Sequence, residues 1–296
     1  MPIKKDREIK LAPFYLPVLV KEVIKLAISE DEGHGDATSL LVVPPNKQST
    51  ANIVAKEDFI LAGMPFVRQV FTTVDQDMKL KVFFVEGSPV KKGDIIAEVK
   101  GRARSLLLAE RLSLNILQRV SGIATFTNAF VSKLKGLPTI VVDTRKTTPN
   151  MRFMEKYGVR IGGGVNHRFG LYDGILIKDN HIKIAGSITK AVKLSKQAHH
   201  LLKIEVEVKN IKELKEALSA GVDVIMLDNM SLEDMKEAVR IRDKWAVDFK
   251  QKVLLEASGG VKLDNVRTIA ETGVDIISIG SLTHSARAVD ISMKIV

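Results

Sequence analysis

From Gly136 onward, short aliphatic runs near Thr139, Gly174, Lys203, Val222, Lys252 and Asp275 alternate with helix-length stretches, one strand and one helix per interval. This alternation restricts the fold more than any other feature, because strands that are each followed by a helix must run largely parallel in one sheet. Two segments repeat the pattern almost letter for letter: Ala220-Gly221-Val222-Asp223-Val224-Ile225 and Thr272-Gly273-Val274-Asp275-Ile276-Ile277. In each, a glycine stands where a helix ends and a strand begins. Roughly six or seven such units with polar strand ends predict a parallel α/β barrel, complete or not, in preference to an open sheet.

Upstream the pattern differs. Leu16–Ile28 has apolar residues at helical spacing, and Gly33 and Gly35 stop it. Between Ser49 and Lys100, the runs Ala51–Ala55, Leu80–Val85 and Ile95–Val99 read as strands, one helix spans about Met64–Val74, and Glu86–Asp94 is a turn. This is the pattern of a small α/β sandwich domain. Arg104–Leu117 and Ile123–Leu134 read as two amphipathic helices joined near Ser121-Gly122. The expected division is a sandwich domain over 1–118 and a barrel over 119–281, with a C-terminal helix over about 282–296 packing back on the first domain.

A chain of 296 residues is long enough for both domains. Zero cysteines exclude disulfides, thiolate nucleophiles and cysteine-ligated metals, and suit a reducing compartment. The net charge of +10 raises nucleic acid as a ligand, but 45 basic residues are interspersed with 35 acidic ones, and three Tyr and one Trp offer little for base stacking. A solvated, lysine-rich surface is the better reading of that charge, with steering of small anionic substrates as its functional gloss. The opening MPIKKDREIK lacks an apolar signal core, and no apolar run reaches the ~18–20 residues of a membrane span, so a cytoplasmic protein is expected.

Chemistry is concentrated in Val141–His181. One strand run ends in Asp143-Thr144-Arg145-Lys146-Thr147-Thr148-Pro149 and the next in Lys178-Asp179-Asn180-His181, with Gly162-Gly163-Gly164 and Asn166-His167-Arg168 between. Loops at the carboxyl ends of parallel strands carry the site in such folds, so Arg145, Lys146 and Lys178 point to one anionic ligand. The glycine run matches no nucleotide-binding motif. In Ile204-Glu205-Val206-Glu207-Val208 the alternation puts both glutamates on one face, which in a barrel is the interior, where carboxylates are costly without cations. Asp228-Asn229 is a second inward pair, and two carboxylates from adjacent strands suit Mg2+. Glu30-Asp31-Glu32 with Asp36 has no further ligand at metal spacing and reads as a helix end. Glu256-Ala257-Ser258-Gly259-Gly260 and Ser278-Ile279-Gly280-Ser281 lead from strands toward helices. Phosphate binding at helix N-termini and ordinary tight turns both fit them.

The segments Asp143–Pro149, Gly162–Arg168 and Leu176–His181 closely resemble the quinolinate phosphoribosyltransferase family. So do Glu30-Asp31 with Gly35–Ser39, Ala109-Glu110-Arg111 with Leu114-Asn115, Ser121–Thr125 and Ser258–Gly260, in the expected order over essentially the whole chain. The resemblance implies an incomplete α/β barrel and transfer of phosphoribosyl from 5-phosphoribosyl-1-diphosphate to quinolinate, with decarboxylation to nicotinate mononucleotide. It implies that Arg145, Lys146, Arg168 and Lys178 clamp quinolinate, with His167 adjacent and Arg111 supplied by another subunit. It further implies Mg2+ and catalytic roles for Glu207, Asp228 and Lys146, and a 5′-phosphate site at Ser258, Gly259, Gly260, Gly280 and Ser281 with His284 nearby. A homodimer with shared sites, or three such dimers in a hexamer, completes the expectation. The rivals are a related molybdenum-transport-associated protein and a non-catalytic binder of an anionic metabolite.

Overall fold

The computed structural model describes residues 16–296, which form two compact units. One comprises the described residues up to Asn128 with Thr147–Gly163 and Leu282–Val296; the other comprises Ala129–Lys146 and Gly164–Ser281.

The chain enters through helices α1 (Val18–Glu32) and α2 (Ala37–Val42). α1 ends at Gly33, and the Asp36 side chain accepts a hydrogen bond from the Ser39 amide to start α2. Strands β1 (Gln48–Ala55) and β2 (Phe59–Ile60), helix α3 (Met64–Val74), strands β3 (Lys79–Val82), β4 (Pro89–Val90) and β5 (Ile95–Arg102), and helix α4 (Ala103–Lys133) follow. α3 buries Met64, Phe66, Val67, Val70 and Phe71, in one core with Ile53 of β1 and Ile96 and Val99 of β5. Its first amides, which have no partner within the helix, are met by Glu86, whose carboxylate accepts from Gly63 and Met64 and from the Tyr157 hydroxyl.

Three expectations need correction here. The helices over 104–117 and 123–134 are one continuous helix, α4. Gly122 does not break it. A Cβ at that position would lie 2.0 Å from the Arg287 carbonyl oxygen, so the glycine is there to let another strand of backbone touch the helix. The C-terminal segment is that backbone, and it is not a helix: one turn at Ser281–His284 is followed by a strand over Ile291–Ile295. That strand pairs antiparallel with β1, giving a sheet ordered Ile291–Ile295, β1, β5, β3. The alternation Ile291, Met293, Ile295 lets it line the sheet, with Ile291 buried. The first unit also extends past the expected boundary at 118 and takes in helix α5 (Arg152–Ile161).

The second unit is built on six parallel strands: β6 (Ile140–Val142), β7 (Ile175–Ile177), β8 (Ile204–Val208), β9 (Val224–Asp228), β10 (Leu254–Ser258) and β11 (Ile276–Ser278). Their hydrogen-bonded order is β6-β11-β10-β9-β8-β7. That is the cyclic chain order opened between the first two strands, an incomplete α/β barrel of six strands. Helices α6 (Asp179–Ala185), α7 (Ile188–Ser195), α8 (Ile211–Ala220), α9 (Leu232–Phe249) and α10 (Val266–Ala270) fill the crossovers. Ser187, Asn210 and Ser231 cap α7, α8 and α9 through their side chains. Gly221, at φ 76°, ends α8 in the left-handed region, as the repeated phrase requires.

Candidate functional site

The carboxyl end of β6 is tied to the His167 loop. Val165 makes an isolated parallel bridge with Val142, and the Val165 amide donates to the Val141 carbonyl at 2.9 Å. Asp143, fully buried, accepts from Asn166 Nδ2 at 2.6 Å and from the His167 amide at 2.9 Å. One carboxylate thereby fixes the loop that carries Arg168. Arg168 donates from Nη1 to the Gly174 carbonyl at 3.0 Å. Burial holds its guanidinium below the ordinary arginine value, the nearby charge of Arg145 pushes the same way, and Glu205 opposes both. Both guanidiniums are partly buried in the segment after β6, and their mutual repulsion favours an anion near them. Lys146, next along, is exposed, and its amide donates to Thr144 Oγ1.

Lys178 follows β7 as the N-cap of α6, and its amide donates to His181 Nδ1 at 2.9 Å. Its ammonium acts on Glu207. The Glu207 carboxyl is raised first by burial and then by the charge of Asp228, while Lys178 lowers it. Asp179 is occupied by Lys209, 3.2 Å away. A like-charged pair with a lysine beside it fits a cation carrying a phosphate group, so the residues present suit the Mg2+ that the resemblance implies. Asp228 is held by its neighbour: Asn229 Nδ2 donates to Asp228 Oδ1 at 2.9 Å, and Asn229 itself adopts φ 53° with its amide on the Ser258 carbonyl. A Cβ at Gly259 would lie 2.1 Å from Asn229 Oδ1. Glycine is therefore required at that position.

The phosphate candidates divide. Gly280 and Ser281 lead directly into the single turn Ser281–His284, and the Ile279 amide donates to Val142, closing β11 onto β6. After Ser258-Gly259-Gly260 the next helix begins only at Val266, so the expected helix N-terminus is not adjacent to those glycines. An Asn265–Gly260 hydrogen bond closes a turn in between. Arg111, exposed on α4, and exposed His284 belong to the first compact unit, whereas the other candidate residues belong to the second.

Beneath Glu207 lies a second acidic layer. Glu205 and Glu256 project into the barrel interior with relative exposures of 8% and 1%. His167 Nε2 stands 3.0 Å from Glu205 Oε2 and 3.6 Å from Glu256 Oε2. His167 thus turns inward, to this layer. Burial and the charge of Glu205 raise Glu256 to about 7, and His167 opposes the shift. Sequence reasoning turned Glu205 inward with Glu207 but missed Glu256 and the buried Asp143–Asn166 link. A lone acid inside the apolar run Leu254–Ala257 was the available signal for Glu256.

Both domains are matched elsewhere. Residues 36–121 match the N-terminal domain model and residues 123–294 the C-terminal domain model of quinolinate phosphoribosyl transferase. The chain is 42% identical over 277 residues to a probable carboxylating nicotinate-nucleotide pyrophosphorylase of Bacillus subtilis, covering 93% of each chain. It is likewise 42% identical over 278 residues to the Methanocaldococcus jannaschii protein of the same description, covering 93% of this chain and 96% of that one. The solved nicotinate-nucleotide pyrophosphorylase of Francisella tularensis superposes with a TM-score of 0.89 at 39% identity, over 95% of this chain and 98% of that one. With both domains matched in order, a six-stranded open barrel and cationic loops at its strand ends, this chain belongs to the quinolinate phosphoribosyltransferase family.

Proposed function

We infer that the protein transfers phosphoribosyl from 5-phosphoribosyl-1-diphosphate to the nitrogen of quinolinate, releasing diphosphate and CO2 and forming nicotinate mononucleotide for NAD synthesis. The supporting observation is that one barrel carries two charged groups after its strands, Arg145 with Arg168 following β6, and Lys178 beside the Glu207–Asp228 pair. Quinolinate brings two carboxylates. Arg145, Arg168, Lys146 and Lys178 supply the cations that orient them, with planar guanidiniums suited to bidentate contact. His167 supports that loop from below, through Glu205. Mg2+ held by Glu207 and Asp228 would neutralise the departing diphosphate. As the anomeric C–O bond breaks, positive charge grows on the ribose, and the two carboxylates stand ready to stabilise it. The pyridine nitrogen forms the new bond, and as a pyridinium it takes up the electron pair left when the adjacent carboxylate departs as CO2; a proton then replaces that group. Ser258, Gly259, Gly260, Gly280, Ser281 and His284 are the proposed 5′-phosphate contacts.

The reading includes a homodimer in which exposed Arg111 completes a partner's site, alone or as a trimer of dimers. Among the described residues no helix is long and apolar enough to cross a membrane. The cysteine-free chain suits the reducing cytoplasm as its location. The deciding experiment is release of labelled CO2 from carboxyl-labelled quinolinate. Release that requires both 5-phosphoribosyl-1-diphosphate and Mg2+ is the expected result; binding of quinolinate without release would make the chain a metabolite-binding protein.

A further inference from the structure

The inner layer of the barrel enters this reaction scheme only through the support that His167 and Glu205 give the Arg168 loop, and Glu256 has no part in it. His167, Glu205 and Glu256 each offer one ligand atom, and these atoms all lie within 4.8 Å of one another. They come from three separate segments: the loop after β6, β8 and β10. Glu205 Oε1 and Glu256 Oε1 are buried side-chain atoms that meet no hydrogen-bond donor. A buried carboxylate oxygen with no donor is costly, and two such carboxylates with ligand atoms within 4.8 Å of one imidazole favour a positive charge among them. A cavity of about 370 Å³, lined by the early strand residues Ile140, Val224 and Ile276, reaches Glu205 and Glu256 and leaves room for a water ligand.

We propose that His167, Glu205 and Glu256 form a second metal site, distinct from Glu207 and Asp228, that binds a divalent transition ion of the zinc type inside the barrel. Ligand spacing supports this. Bonds of about 2.0–2.1 Å in a tetrahedral site put neighbouring ligand atoms about 3.3–3.4 Å apart. The observed 3.0 Å and 3.6 Å from His167 Nε2 bracket that value, so small side-chain adjustments suffice. One imidazole and two carboxylates, with no thiolate, suit Zn2+, Co2+ or Mn2+. Mg2+ is less suited, since it prefers oxygen ligands and retains several waters. Bound there, the ion joins the loop carrying Arg168 to β8 and β10, which makes the site structural.

The test uses full-length protein carrying Glu207→Gln and Asp228→Asn, which disables the outer carboxylate pair, stripped with chelator. Titrated with Co2+, this protein is expected to take up one equivalent with the visible absorption of a low-coordinate N,O site, and Zn2+ should displace it. Adding Glu205→Gln and Glu256→Gln should weaken binding by more than about a hundredfold, since removal of even an outer-shell partner costs ten- to a hundredfold. No uptake by the first protein, or unchanged affinity in the second, overturns the proposal. Should the four-fold variant fail to fold, pulsed EPR on Mn2+ bound to the first protein decides the matter. An imidazole nitrogen coupling that His167→Gln abolishes supports the site, and its absence refutes it.

Discussion

At the residue scale, the site separates two kinds of charge that mutation can tell apart. Lys178 and Arg145 are cations on loops after strands, so replacing either by alanine should weaken quinolinate binding by about 2–5 kcal/mol in calorimetry, with the circular dichroism spectrum unchanged. Glu207→Gln should leave quinolinate affinity intact and remove Mg2+-dependent turnover; retained turnover would take Glu207 out of the mechanism. Glu256 carries a different consequence. Its carboxyl is raised from 4.5 to about 7 in the folded, metal-free protein, chiefly by burial. Between those values the folded state holds a proton that the unfolded state lacks, so the stabilisation is full below 4.5 and is lost as pH rises through 7. The full swing is at most about 3 kcal/mol. Chelator-treated wild type should therefore show a falling thermal midpoint over this window, and Glu256→Gln should flatten it. An unchanged slope in the variant would assign the pH dependence elsewhere.

At the element scale, the contact most open to test is the one between α4 and the C-terminal segment. Helix propensity alone favours Gly122→Ala by about 1 kcal/mol. The new Cβ, however, would sit 2.0 Å from the Arg287 carbonyl oxygen and 3.2 Å from the Ala288 Cα, both backbone atoms that cannot rotate away. Overpacking of this kind costs about 1–3 kcal/mol, so the net effect should be a lower thermal midpoint. Hydrogen exchange should speed up at Ile291–Ile295, whose strand depends on this approach. A midpoint equal to or above wild type would show that the segment moves aside without loss. Gly158 on α5 and Gly162 at its C-cap play a related part, since a Cβ on either would crowd the α4 carbonyls of Val120 and Ala124 at 2.9 Å and 2.4 Å respectively. Small residues at these positions set how closely the two helices can pack.

At the scale of the whole molecule, the proposed shared site makes a stoichiometric claim. Inactive Arg111→Ala and inactive Lys178→Ala subunits, allowed to exchange, should form heterodimers in which one site collects both lesions and the other has none. Random exchange makes half the dimers mixed, so about a quarter of wild-type activity should return. Exchange confirmed by mass with activity still absent would place Arg111 within its own subunit's structure. The sequence by itself determined the parallel barrel, because strand and helix periods and terminal glycines such as Gly221 and Gly273 are local properties written in consecutive residues. It also determined which cations follow β6 and β7, and that Glu205 and Glu207 share a face. Tertiary structure decided the rest. The continuity of α4 across Gly122 and the return of 291–295 as a strand depend on a contact between residues more than a hundred and fifty positions apart, which no local period records. The meeting of His167, Glu205 and Glu256 likewise depends on parallel register between strands, and the repeating pattern of a single strand carries no information about its neighbour's alignment.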